Sequence, residues 1–251
     1  MKKRIGKMRD MYIIRNRILR LRDKHRKKFY KNSYGKCGLE IEFGVNYTGT
    51  STGYIKKGLQ KMKEAVGNRG KFVEDLTIGR DLNFEIVLDP MDKDELAEVF
   101  NKIVDILEFY EDFVFDDNCG VHANFRADDV QKRLFYNRLV AGGYDSQRFS
   151  HNKYKIDFMK LAAKRDGTFR TYEEFVQYQK DVCSKYSSVN FLKENLIEFR
   201  ALDLNLDDIL YVYDLYRQTC LGETASEELK DKVRHLSDYV DLPLVSLDRA
   251  Q

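Results

Sequence analysis

Four short apolar segments carry acidic, imidazole or guanidinium groups at alternate positions: Gly38-Leu39-Glu40-Ile41-Glu42-Phe43, Asn83-Phe84-Glu85-Ile86-Val87, Gly120-Val121-His122-Ala123-Asn124-Phe125 and Leu196-Ile197-Glu198-Phe199-Arg200. The two-residue period of a strand sends Leu39, Ile41 and Phe43 to one face and Glu40 with Glu42 to the other. The same alternation sets Val121, Ala123 and Phe125 against His122, Asn124 and Arg126, and Ile197, Phe199 and Ala201 against Glu198 and Arg200. Ionised carboxylates among apolar neighbours are costly unless paired or bound to a cation. A single sheet face bearing Glu40, Glu42, Glu85, His122, Glu198 and Arg200 would therefore suit a hard divalent cation such as magnesium, with a fixed positive charge beside it. A solvated edge strand would explain any one segment. Four of them, one with histidine and one with arginine, weigh against that explanation.

The elements that must position these groups alternate along the chain. A strand is expected at about 37–46, a helix at 53–66 after a glycine-rich loop, and a hairpin of strands at 71–77 and 82–88 around Gly79. Asp92 and Glu95 form a capping-box signature opening a helix to about Phe113, with Leu96, Val99, Phe100, Ile103, Ile106 and Leu107 on its apolar face. The His122 strand follows. Residues 128–184 read as helical, with a second capping box at Thr171 and Glu174. Two strands, Ser187–Lys193 and Asn195–Leu202, place Asn190 beside Glu198, and helices at 206–221 and 225–239 complete the chain. This order predicts an α+β fold, a mostly antiparallel sheet backed by helices.

Composition bounds the function. The chain has 251 residues, 43% hydrophobic and 13% aromatic, enough for a sizeable core. No run has the length of a transmembrane span and no secretory leader pattern opens the chain, so a cytoplasmic protein is expected. Cys37, Cys119, Cys183 and Cys220 contain no CxxC pair and read as reduced thiols. The formal charge of +3 conceals an asymmetry: residues 1–34 hold 14 Lys/Arg against 2 Asp, a balance of +12, and the remainder carries −9. Met11, Ile14, Ile18 and Leu21 fall at helical spacing within that basic arm. It is a candidate surface for nucleic acid or an acidic partner, or a helix that packs its narrow apolar stripe on the acidic body.

No GxxxxGK[ST] phosphate loop, GxGxxG, HExxH or nucleophile elbow occurs, a multi-histidine zinc site would have to recruit nearly all of His25, His122, His151 and His235, and counting leaves a Ser/His/Asp triad open although no serine has a motif around it. A carboxylate-rich site remains.

Glu40-x-Glu42, Asp75-x-Thr77 leading to Glu85-Ile86-Val87 and Asp89-Pro90, Cys119-Gly120-Val121-His122, and Asn190 followed by Ile197-Glu198-Phe199-Arg200 occur in the order of the amidoligase family, which the chain resembles over roughly residues 37–220. Members are similar to glutamine synthetase and glutamate–cysteine ligase in their catalytic domain. The resemblance implies an ATP- and magnesium-dependent carboxylate–amine ligase that forms an amide or isopeptide bond through an acyl phosphate. It implies a sheet curved into a glutamine-synthetase-like funnel, a catalytic domain over 35–251 and a helical insertion at about 128–184. Substrates would be small-molecule, peptide or protein carboxylates and amines.

Carried over by position, Glu40, His122 and Glu198 resemble ligands of one magnesium and Glu42 with Glu85 ligands of another, Glu85 also counting as catalytic. Arg200 resembles the residue that stabilises the transferring phosphoryl group or a later oxyanion. Asp75, Asn124, Arg148 and Asn190 resemble nucleotide- or substrate-binding positions. Many members carry a second histidine where this chain has Asn124, and asparagine does not titrate near neutrality. A metal-dependent small-molecule kinase, a nucleic-acid-binding module using the basic arm, and an inactive relative are the alternatives.

Overall fold

The computed structural model describes residues 33–46, 51–74, 80–149, 155–183 and 186–222. Residues 1–32 of the basic arm, Asp75, Gly79, His151 and the helix expected at 225–239 lie outside the described residues.

The described chain is α+β. Its strands are β1 (Cys37–Val45), β2 (Gly70–Glu74), β3 (Leu82–Leu88), β4 (Phe113–Val114), β5 (Val121–Arg126), β6 (Val189–Asn190) and β7 (Leu196–Leu202). They form one seven-stranded antiparallel sheet in the order β2-β3-β1-β5-β7-β6, with β4 also paired to β1. The helices are α1 (Thr52–Val66), α2 (Lys93–Phe109), α3 (Asp129–Arg138), α4 (Phe158–Ala162), α5 (Tyr172–Val182) and α6 (Leu206–Leu221). No helix among the described residues is long and apolar enough to cross a membrane.

Local chemistry sets the helix ends. The Asp92 carboxylate accepts from the Glu95 N–H at the start of α2, and reciprocal capping boxes open α3 (Asp128 with Gln131) and α5 (Thr171 with Glu174). Helix α6 ends at Gly222 in the left-handed conformation, φ 68°. The apolar faces of these helices meet the apolar back of the sheet in one buried cluster that joins Leu39, Ile41 and Phe43 to Ile55, Met62, Val99 and Ile103. Behind β5, Phe125 stacks on Tyr216 of α6 with ring centres 4.7 Å apart.

Three expectations change. Helix α2 stops at Phe109, because Tyr110 leaves helical geometry (φ −100°, ψ 100°) and stacks on Phe113, which is thereby delivered to β1 as the strand β4. The stretch 128–184 is broken: Gly142, at φ 103°, ends a π-helical turn (Leu139–Gly143), and Ala163 bridges Phe169 around Gly167 at φ 83°. The strand expected at 187–193 shortens to β6, because the Asn190 side-chain oxygen accepts from the Leu192 N–H and turns the backbone out of the ladder.

Strand β7 also carries a β-bulge. Ala123 pairs with Phe199 and Val121 with Leu202, so Arg200 and Ala201 together oppose His122. Glu198 and Arg200 therefore share one face, and after the bulge Leu202 turns to the core instead.

Candidate metal centre

The face opposite the helices holds the predicted polar residues. Antiparallel register sets Glu40 directly opposite His122, Glu42 opposite Glu85, and Glu198 opposite both Asn124 and Asn190. Like charges facing each other across a strand pair are destabilising, so the Glu42/Glu85 pair calls for positive charge between or beside it.

His122 stands at the centre. Its Nδ1 lies 3.3 Å from Glu40 Oε2 and 3.8 Å from Glu198 Oε1, and its Nε2 lies 3.7 Å from Glu42 Oε1. The ring is buried, and Nε2 is shielded from solvent without a hydrogen-bond partner. One potential ligand atom from each of Glu40, Glu85 and His122 lies within 4.8 Å of the other two. Two carboxylates and an imidazole that converge in this way, beside a third carboxylate on Glu42, fit a divalent cation.

Glu198 is engaged differently. Its Oε2 accepts from Arg200 and from Asn190 Nδ2, each at 2.9 Å, and its Oε1 accepts from Lys193 Nζ at 2.8 Å. Burial opposes ionisation of this carboxyl, but the charges of Arg200, Lys193 and His122 outweigh it and hold the group down at about 2. Glu40 is also held below the usual carboxylate range: burial pushes it up, and the hydrogen bond from His122 with the charge of Lys193 more than offsets that. The arrangement thus regroups the expected ligands. Glu85 joins Glu40 and His122, whereas Glu198 serves as the acceptor that fixes Arg200 and Lys193.

Arg200 is nearly buried, one end tied to Glu198 and its Nε facing no acceptor. Asn124 Oδ1 is likewise buried and unpartnered. Arg148 is not brought to this cluster. It pairs with Asp208 at 2.5 Å and stacks 4.5 Å from the centre of Tyr211, while neighbouring Phe149 packs on Phe199 from the helical side. Its carboxylate partner and the aromatic wall of α6 give it a structural role there.

Lys193 is the contributor that the sequence pattern passed over, since no strand alternation points to it. It sits in the β6–β7 turn, where Asn195 adopts φ 51° and folds the chain back so that a residue five positions before Glu198 reaches its carboxylate. The buried Lys132 of α3 steadies that turn by donating to the carbonyls of Phe191 and Lys193. The signal available was the hairpin itself, which brings its two arms together.

Compared with protein-family models and with curated proteins, the chain matches none.

Proposed function

We propose that the protein is an ATP- and magnesium-dependent carboxylate–amine ligase. The convergence of Glu40, Glu85 and His122 on one sheet face, with Glu42 beside them and Arg200 adjoining, is the observation that carries this reading. Glu40, Glu85 and His122 would hold one cation, and Glu42 and Glu198 would flank it. A magnesium ion held by these residues would supply Lewis-acid charge neutralisation for phosphoryl transfer.

The chain's own residues supply the rest. Arg200 is held by Glu198 with its Nε available, so it would stabilise negative charge developing on the phosphoryl oxygens or on the oxyanion formed when an amine attacks the acyl phosphate. Its position is set before the substrate arrives, which avoids reorganisation at the transition state. The reading implies a glutamine-synthetase-like funnel formed by this face. ATP as co-substrate would place the reaction in the cytoplasm.

The test is ATP turnover with magnesium and pooled carboxylates and amines, followed by hydroxylamine trapping. A hydroxamate is expected in place of amide, and Glu40→Gln and Glu85→Gln are expected to abolish magnesium-dependent ATP binding while the circular dichroism spectrum shows the fold retained. Phosphorylation without any hydroxamate would transfer the protein to the small-molecule kinases. Absence of both ATP binding and turnover would end the proposal.

A further inference from the structure

Arg126 is a cation with no carboxylate to neutralise it among the described residues. It follows His122 and Asn124 in the front-facing series of β5, since Phe125 between them packs behind the sheet on Tyr216. Its guanidinium carbon lies 4.4 Å from the centre of the Tyr34 ring, and its NH1 is buried with no hydrogen-bond acceptor. Arg80, Arg148 and Arg200 each meet a carboxylate; Arg126 does not.

The face of the Tyr34 ring attracts the guanidinium but offers its N–H groups no hydrogen-bond acceptor. A buried donor on a charged group, left unmet, is costly. The neighbouring front-facing residue, Asn124, is about 7 Å along the strand. Its Oδ1 is also buried and unmet, an acceptor where Arg126 offers a donor. A carboxylate matches the in-plane fork of a guanidinium, and an N–H group matches the amide oxygen. The ionised oxygens of a phosphate offer Asn124 no donor, whereas the N–H of an amino carboxylate does.

We infer that Arg126, backed by Tyr34, and Asn124 form a subsite for an amino carboxylate, whose carboxylate accepts from Arg126 while its N–H donates to Asn124 Oδ1. The subsite lies on the same strand face as His122, so a molecule seated there extends toward the metal centre. This deepens the ligase reading by naming the substrate class, and it rests on that reading only for what becomes of the bound molecule.

The experiment is calorimetric titration of the full chain in chelator, without ATP, with six probes: glycine, glutamate, glycylglycine, acetate, ethylamine and inorganic phosphate. At least one of the first three is expected to bind more tightly than acetate, ethylamine and phosphate. Arg126→Met and Asn124→Leu should each weaken it at least tenfold, and Arg126→Lys, which keeps the charge but loses the fork, should weaken it less than Arg126→Met. Circular dichroism and the thermal midpoint establish that each variant folds; if Arg126→Met does not, Arg126→Lys and Asn124→Leu decide, through a measurable loss in each. The inference is overturned if none of the three amino carboxylates binds, if the folded variants bind as the parent does, or if phosphate binds as tightly. Because no ATP is present, failure of the ligase reading would leave this binding intact and would appear only in turnover.

Discussion

Replacing Glu198 by glutamine removes a negative charge without removing volume, and the structure sets what that should cost. The carboxylate is fully buried, with Arg200 and Asn190 on one oxygen and Lys193 on the other. Its drop from an ordinary 4.5 to about 2 corresponds, at about 1.4 kcal/mol per pH unit, to about 3 kcal/mol of stability at neutral pH. Breaking a buried ion pair by deleting one partner costs a similar ~3–5 kcal/mol, because Arg200 and Lys193 would be left facing each other. The sign follows from the depressed value. This stability is present above pH 4.5 and is lost as pH falls toward 2, and Glu40, also depressed, adds to the loss in the same direction. Urea unfolding in chelator at a series of pH values measures it. Glu198→Gln should be about 3 kcal/mol less stable than the parent at pH 7, and the gap should close on acidification to pH 2. Equal stability at pH 7, or a gap that stays constant with pH, would refute the electrostatic account.

Two further substitutions test how the site is carried. Gly44 lies on the polar face beyond Glu42, and a methyl there would overlap Arg80 Cβ and Cγ, which cross it on the way to Asp116. Gly44→Ala should lower stability by about 1–3 kcal/mol through overpacking, read as a shifted urea midpoint at unchanged slope; an unchanged midpoint would contradict the close approach. Phe125→Ala should cost about 3–5 kcal/mol, since the ring fills the space between β5 and α6, and a loss under 1 kcal/mol by the same assay would show that this interface is loosely packed.

The period-two alternation of Glu40, Glu42, Glu85 and His122 was legible because each lies on a strand whose other face packs on the helices, where a slip of one residue would turn every charge into the apolar core. Register then followed from pairing, and the strand and helix order from capping residues such as Asp92 and Thr171. Features decided by single backbone conformations were not legible. Tyr110 leaves its helix to stack on Phe113, and Gly142 and Gly167 break a stretch whose composition reads as helical. Lys193 escaped for a related reason: a lysine in a turn has no periodicity, and only the folded hairpin shows which carboxylate it meets. Arg148's place away from the cluster was not legible because an arginine's type says nothing about its partner. Asp208 and Tyr211 claim it, and both belong to a helix some 60 residues later in the chain.

The bulge in β7 gives that strand one residue more than its hydrophobic pattern needs. Remove Ala201 from the register and Arg200 would face His122 in a regular ladder, with Leu202 still opposite Val121 and both faces keeping their character. Folding alone therefore does not demand the extra residue, in contrast to a deletion in the strand outside the bulge, which would invert the faces beyond it. What the surplus residue adds is a local increase in twist at Arg200. The strand thus holds its core through Ile197 and Phe199 and sets the local twist at Arg200 through one surplus residue.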